Sequence, residues 1–288
     1  MSETIEKPKN RTMQEFASHI VQSNRSETAD YYFKIMKLYK EFYAGSDTDL
    51  SKPDALVKFL EARRDKIEPS SIDLYLRVLR SMLRFMNNDE KLTIDFTSPR
   101  IIMKRQPSFT WDAMQYMLTE SKRKPHHHAY LLCAITTLAR RKEILRLKKK
   151  NMVIKTIDGQ EFYVIEFTET KNYQPRELVI DKMSWKTIDK LGEEQEDKLF
   201  KFSLQNADYI VKTYRPDDQL FYSHAIRRGI SETIAKRLRN KRGDERVLRY
   251  YLGHWTVKSS VTSKYTMPNY DEMWEWYCIF HPIMDLRN

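Results

Sequence analysis

The sequence predicts a mainly α protein with a small antiparallel β-sheet, an α+β fold in two domains. Three observations carry this. Apolar residues recur three and four apart over most of the chain, the period of half-buried helices. Residues 152–180 break that period, with short strand-like runs on either side of Asp158-Gly159, a pair suited to a tight hairpin turn. Residues 97–108 have no helical period, carry two prolines and three basic residues, and separate two helical regions as a linker.

The elements follow in chain order. Residues 1–12 read as a flexible lead, polar and mixed in charge, with no apolar run to make a secretory signal. Residues 13–96 read as a helical domain. Ile35, Leu38, Tyr39 and Phe42 fall on one helical face, as do Leu56, Phe59 and Leu60 after Pro53 in a first turn. The clearest helix opens at Pro69-Ser70-Ser71, with Ser70 as its N-cap and Asp73 three residues on. Its apolar stripe is Ile72, Tyr75, Leu76, Leu79, Leu83 and Met86. Arg77, Arg80 and Arg84 line the other face, which suits either a solvated surface or a helix laid along a phosphate backbone. Lys104 and Arg105 in the linker extend the candidate phosphate contacts.

Residues 109–288 form the second domain. Thr110 caps a helix to about Ser121, and an apolar helix covers Ala129 to Leu138. The hairpin joins Met152–Ile157 to Glu161–Thr168, and Leu178-Val179-Ile180 supplies a third strand. Helices then continue to the end. In the tail, residues 267–288, Met273, Trp276 or Tyr277, and Phe280 make one apolar face.

Composition narrows the partners. Lys and Arg number 51 against 40 Asp and Glu, a net charge of +11, which favours a polyanion and most simply nucleic acid. No apolar run reaches the roughly 18 residues of a membrane span. Cys133 and Cys278 are the only cysteines, read as two free buried thiols of a reducing compartment. His126-His127-His128 is not a metal box, because consecutive residues do not share a helix face and no carboxylate or cysteine accompanies them. No G-x-x-x-x-G-K-[ST] loop is present, so nucleotide triphosphate use has no support.

The chemistry lies further on. His224 and Arg227, three apart on a helix, project to the same side. Leu252-Gly253-His254-Trp255 comes one short helix later, and Tyr265 follows it. An imidazole, a guanidinium and a phenol gathered around one phosphate suit phosphodiester cleavage without a metal. The phenol attacks, guanidinium forks meet the charge on the non-bridging oxygens, and other groups move the protons.

With a further box, these residues resemble the tyrosine recombinases, the family of phage integrases and Xer-type enzymes. Thr137-Leu138-Ala139-Arg140-Arg141-Lys142-Glu143-Ile144-Leu145-Arg146-Leu147 is similar to the family pattern T-G-L-R-x-x-E-[LI]-x-x-L. Lys171, in Glu169-Thr170-Lys171-Asn172, looks like the family's hairpin lysine, while His224/Arg227 and Leu252-Gly253-His254 look like its H-x-x-R and L-G-H boxes. Tyr265 stands where the family places its nucleophile. The motifs cover roughly residues 105–266. Departures are Leu138 for the usual Gly, Asn151 where an Asp often follows, and 11 residues from His254 to Tyr265, a longer gap than usual. That gap leaves Tyr270 as a rival nucleophile. Arg141 is out of register with Glu143.

The resemblance implies a helical core-binding domain followed by a catalytic domain, and a site-specific recombinase or integrase working through a 3'-phosphotyrosine intermediate. It assigns Arg140 and Arg227 to the phosphate, with Glu143 supporting Arg140. Lys171 becomes the general acid, His224 assists proton transfer at the tyrosine, and His254 bonds the phosphate with Trp255 packed beside it. It implies double-stranded DNA as partner, a tetramer on DNA with the 267–288 tail as a candidate docking segment, and no metal, ATP, membrane or small-molecule substrate. The place of action is the cytoplasm or nucleoid, or the nucleus in a eukaryotic host. Two other readings stay open: a type IB topoisomerase-like enzyme that relaxes DNA, and a catalytically silent DNA-binding regulator of the same fold. RNA binding is a weaker one, for want of aromatic stacking motifs.

Overall fold

The computed structural model describes residues 11–23, 26–88, 91–101, 106–168, 175–192, 198–220, 224–254 and 267–287. The chain divides into two compact units, residues 1–104 and 105–288. The described architecture is mainly helical, with one three-stranded antiparallel sheet.

The first unit contains α1 (Met13–Ser23), α2 (Ser26–Phe42), α3 (Pro53–Glu61) and α4 (Pro69–Met86). Pro53 and Pro69 each open a helix, where a missing N–H costs nothing and a fixed φ is already helical. Their apolar stripes meet in a core of Phe16, Ile20, Tyr39, Leu56, Phe59, Leu79 and Leu83. Four expectations are corrected here. Ser70 is not the N-cap of α4: the helix starts at Pro69, flanked by Glu68, with no side-chain cap. Arg11 and Thr12 are anchored rather than a free lead, since Arg11 N donates to the Met86 carbonyl and the Arg11 guanidinium lies over the Phe85 ring. Phe42 is exposed at the end of its helix, with the Arg63 guanidinium against its ring. The helical pattern does not reach 96: Asn88 takes a left-handed φ of 53° that ends α4. Leu92, Ile94 and Phe96 then pack on the core from a non-helical segment.

The second unit is built around α6 (Pro125–Thr137), whose residues from Ala129 onward are all buried. Before it comes α5 (Trp111–Ser121), capped by Thr110 Oγ1 accepting from Ala113 N at 3.2 Å. After it come the short α7 (Arg141–Ile144) and strands β1 (Met152–Ile157), β2 (Gln160–Phe167) and β3 (Arg176–Ile180). The strands pair in the order β1-β2-β3, and Asp158 and Gly159 turn the first hairpin with φ of 50° and 82°. Then follow α8 (Lys182–Gly192), α9 (Leu204–Tyr214), α10 (Ala225–Lys241), α11 (Arg246–Tyr251) and α12 (Tyr270–Phe280), ending in a 3-10 helix, Pro282–Leu286.

Two packing facts bear on the site. At Gly229 of α10 an added Cβ would lie 2.0 Å from the Phe109 carbonyl oxygen, so only glycine admits that backbone. Phe109 N donates to the Ala225 carbonyl, Arg228 reaches the Gln106 carbonyl and Ser108 bonds Glu232. The end of the expected linker is thus strapped to α10. In the tail, α12 packs on β3, α10 and α11 of its own unit, burying Met273, Trp276, Tyr277 and Phe280, while Cys278, expected to be buried, lies exposed on its other side. No helix among the described residues is long and apolar enough to cross a membrane.

Candidate active site

Helix α6 ends at Leu138, which takes a left-handed conformation (φ 53°, ψ 20°) although its side chain is fully buried. The chain leaves in extended form through Arg140, and α7 begins at once. Glu143 sits three residues on, at the N3 position, 3 % exposed. Its Oε2 accepts from Arg140 N at 2.9 Å, the return half of a capping box, and its Oε1 accepts from Arg140 Nη1 at 3.0 Å. Arg140, not Arg141, therefore faces Glu143. Arg141 turns away and pairs with Asp208 of α9.

A second guanidinium meets the same carboxylate. Arg176, at the head of β3, donates Nη2 to Glu143 Oε2 at 2.8 Å and Nη1 to Oε1 at 3.4 Å. The sequence reading missed it. A signal was present: Arg176 is in phase with core-facing Leu178 and Ile180, and a cation on a buried strand face needs an acid. Burial alone would raise the Glu143 carboxyl. The bonds and charges of Arg176 and Arg140 outweigh it and bring the group down to about 2.

Arg227, on the first turn of α10, bonds two backbone carbonyls, those of Leu138 and Leu252. Both stand where a helix ends and its last carbonyls lack intrahelical donors. The helix at Leu252 closes as a Schellman motif: Gly253 N donates to Tyr250 O at 2.9 Å and His254 N to Arg249 O at 3.0 Å. Gly253 supplies the required left-handed residue, φ 58°, and a Cβ there would fall 2.9 Å from Arg176 Nη1. The L-G-H box is thus a helix stop laid against the arginine pair, and it delivers His254.

The electrostatics leave excess positive charge. Burial first, then the charge of Arg140, lowers the Arg227 guanidinium to about 9, still protonated at neutral pH. His224 precedes α10; burial, then Arg141, Arg227 and Arg140, lowers its pKa. His254 is lowered by burial, then by Arg227, Arg140 and Arg176. Arg140, Glu143, His224, Arg227 and His254 are thus brought together, with Arg176 added. Such a cluster of guanidinium forks and neutral imidazoles can hold a phosphate and move protons at it.

Lys171, Trp255 and Tyr265, and the linker pair Lys104 and Arg105, lie outside the described residues. The Tyr270 hydroxyl bonds Glu177 and accepts from Lys155 Nζ at 2.9 Å, over the sheet face that carries Lys155, Phe162 and Glu177. Among the described residues no group of three or more His, Cys, Asp and Glu could hold a metal ion. His127 and His128 bond Tyr214 and Ser121. In the first unit, Arg77, Arg80 and Arg84 line a concavity of about 430 Å³ with Phe16, His19, Ser81 and Phe85.

No family model matches this sequence, and no curated protein does. Solved structures do. The Tn1549 transposon integrase in complex with transposon right end DNA matches with a TM-score of 0.61 at 15 % identity, over 96 % of this chain and 99 % of that one. A lambda integrase dimer bound to a COC' core site matches with a TM-score of 0.62 at 15 % identity, over 88 % and 93 %. The XerH site-specific recombinase bound to difH substrate matches with a TM-score of 0.57 at 14 % identity, over 91 % and 81 %. At these identities the likeness is one of fold.

Proposed function

We propose that this chain, whose fold is that of the tyrosine recombinases, is a site-specific DNA recombinase or integrase that cuts and rejoins strands through a covalent phosphotyrosine. The observation that carries the reading is the cluster of Arg140, Arg227, His224 and His254 around the Glu143–Arg176 pair, a concentration of positive charge. The solved structures of like fold, captured on DNA, support the same substrate.

In this reading the Tyr265 oxygen attacks the phosphorus, and the bond to the 5' oxygen breaks. A phenol with a pKa near 10 is almost fully protonated at neutral pH. His224, kept neutral by burial and surrounding guanidiniums, takes that proton. Lys171 gives one to the departing 5' oxygen. Arg140 and Arg227 hold the non-bridging oxygens as charge builds there, and His254 donates to one of them. The ester keeps the bond energy, so the free 5'-hydroxyl reseals the strand by the reverse path. Trp255 takes a supporting role by the family resemblance, and protomers pair duplexes as a tetramer. Arg77, Arg80, Arg84, Lys104 and Arg105 hold the DNA backbone.

The test uses a library of nicked duplexes randomised around the nick, from which a cut fragment is lost and the adduct is trapped. Denaturation-resistant protein–DNA adducts are recovered and sequenced. The intact chain gives an adduct on a defined subset of sequences, Tyr265→Phe gives none, and Tyr270→Phe cleaves. An intact protein with no adduct sinks the enzyme reading; loss confined to Tyr270→Phe moves the nucleophile.

A further inference from the structure

Arg140 and Arg176 bind the same carboxylate, yet their surroundings differ. The Arg140 side chain is 23 % exposed and can meet a phosphate, while that of Arg176 is 4 % exposed and cannot. We propose that Arg176 is a positioning residue for strand cleavage: its fork locks the Glu143 carboxylate in the orientation that presents the Arg140 guanidinium to the phosphate. The inference rests on the strand-cleavage reading above.

Glu143 accepts four N–H bonds, two from Arg140 and two from Arg176, at 2.8 to 3.4 Å. An ionised carboxylate offers about four lone-pair sites, so all are taken and it cannot turn without breaking bonds to both arginines. Arg140 stands at the N-cap of the four-residue α7, and its guanidinium bonds Glu143. Arg176 is well fixed. It heads β3 opposite Phe167, whose ring lies 5.0 Å from its guanidinium carbon, and Gly253 closes over Nη1.

Its buried Nε has no hydrogen-bond partner among the described residues, so its polar contacts with described groups are concentrated on Glu143. Without Arg176, the buried carboxylate would face one guanidinium in place of two. Burial would then favour the protonated acid, which has fewer acceptors to offer Arg140.

The test compares the intact chain with Arg176→Lys, Arg176→Gln and the double variant Glu143→Gln/Arg176→Gln. Single-turnover adduct formation on the nicked-duplex library is followed against DNA concentration and pH. Arg176→Gln slows the saturating rate by about 10²-fold, the size of effect when a catalytic group shifts by about 1 Å. The half-saturating DNA concentration is unchanged, and the acid limb of the rate profile moves to higher pH. Arg176→Lys, which keeps the charge but not the fork, recovers part of the rate. The double variant removes both buried charges, so it melts close to the intact protein yet cleaves slowly. A stably folded double variant, or Arg176→Gln itself, that cleaves at the intact rate overturns the proposal. If the intact chain forms no adduct, the strand-cleavage reading falls first and takes this one with it.

Discussion

Leu138 and Gly253 both hold a positive φ, 53° and 58°, and both stand where a helix stops beside an arginine of the cluster. Glycine is free to do this. Leucine is not, and the left-handed conformation costs it about 1–2 kcal/mol. Leu138 is fully buried in the second unit's core, and that packing holds it. The family-like motif has glycine at this position, yet Leu138→Gly is expected to destabilise. Emptying a buried leucine site costs about 2–5 kcal/mol against about 1–2 recovered, a net loss centred on about 2 kcal/mol in urea denaturation. A more stable Leu138→Gly variant would show that strain outweighs packing there. The bond from Arg227 goes to the Leu138 backbone carbonyl, so the substitution removes neither its donor nor its acceptor.

Helix α12 is the element whose role the sequence left most open, since its apolar face suited either its own core or a neighbour. The face is taken up by its own unit. Truncation after Pro268 is therefore expected to abolish the second unit's cooperative unfolding, as seen by near-ultraviolet circular dichroism. A truncated chain that still melts cooperatively contradicts this. The helix is also locked by His281, fully buried and stacked on Tyr277 at 4.4 Å. Its Nδ1 accepts from Ile283 N and its Nε2 donates to the Ile135 carbonyl, which needs the neutral ring. Burial pushes its pKa down from 6.5 to about 3. Because the folded value is depressed, its contribution to stability is complete above about pH 6.5 and is lost as pH falls from there to about 3. His281→Gln is expected to flatten the stability–pH curve in that window. An unchanged curve would assign the acid sensitivity to other groups, Glu143 first, whose own window runs from about 4.5 down to about 2.

At the scale of the whole molecule, the excess of basic residues favours a polyanion and bears on the salt response of the proposed DNA binding. With a net +11, DNA affinity is expected to fall steeply with salt, since each phosphate neutralised releases counterions. Arg77→Ala, Arg80→Ala and Arg84→Ala are each expected to lower the slope of log affinity against log salt by about 1, equally on all duplex sequences. Fluorescence anisotropy with a duplex of arbitrary sequence measures this. Unchanged slopes would return the α4 face to a solvated surface, where Arg77 already pairs with Asp73 at 2.9 Å.

Much of this fold was legible because its signals are local. Helical period, Pro53 and Pro69, Thr110 as a cap and the Asp158-Gly159 turn act within a few residues, and the elements follow them. The misreadings share that locality. Ser70 reads as a cap until the preceding proline takes over, and the helical pattern runs past Asn88 until that residue turns left-handed. Sequence alone determined the fold class and the order of the boxes that resemble the recombinases. Only the tertiary structure decided how they meet. It turned Arg141 onto Asp208, joined Arg176 to Glu143, and gave Arg227 the spare carbonyls of two helix ends. These are choices of partner for buried charge, and burial exists only once distant segments have packed together.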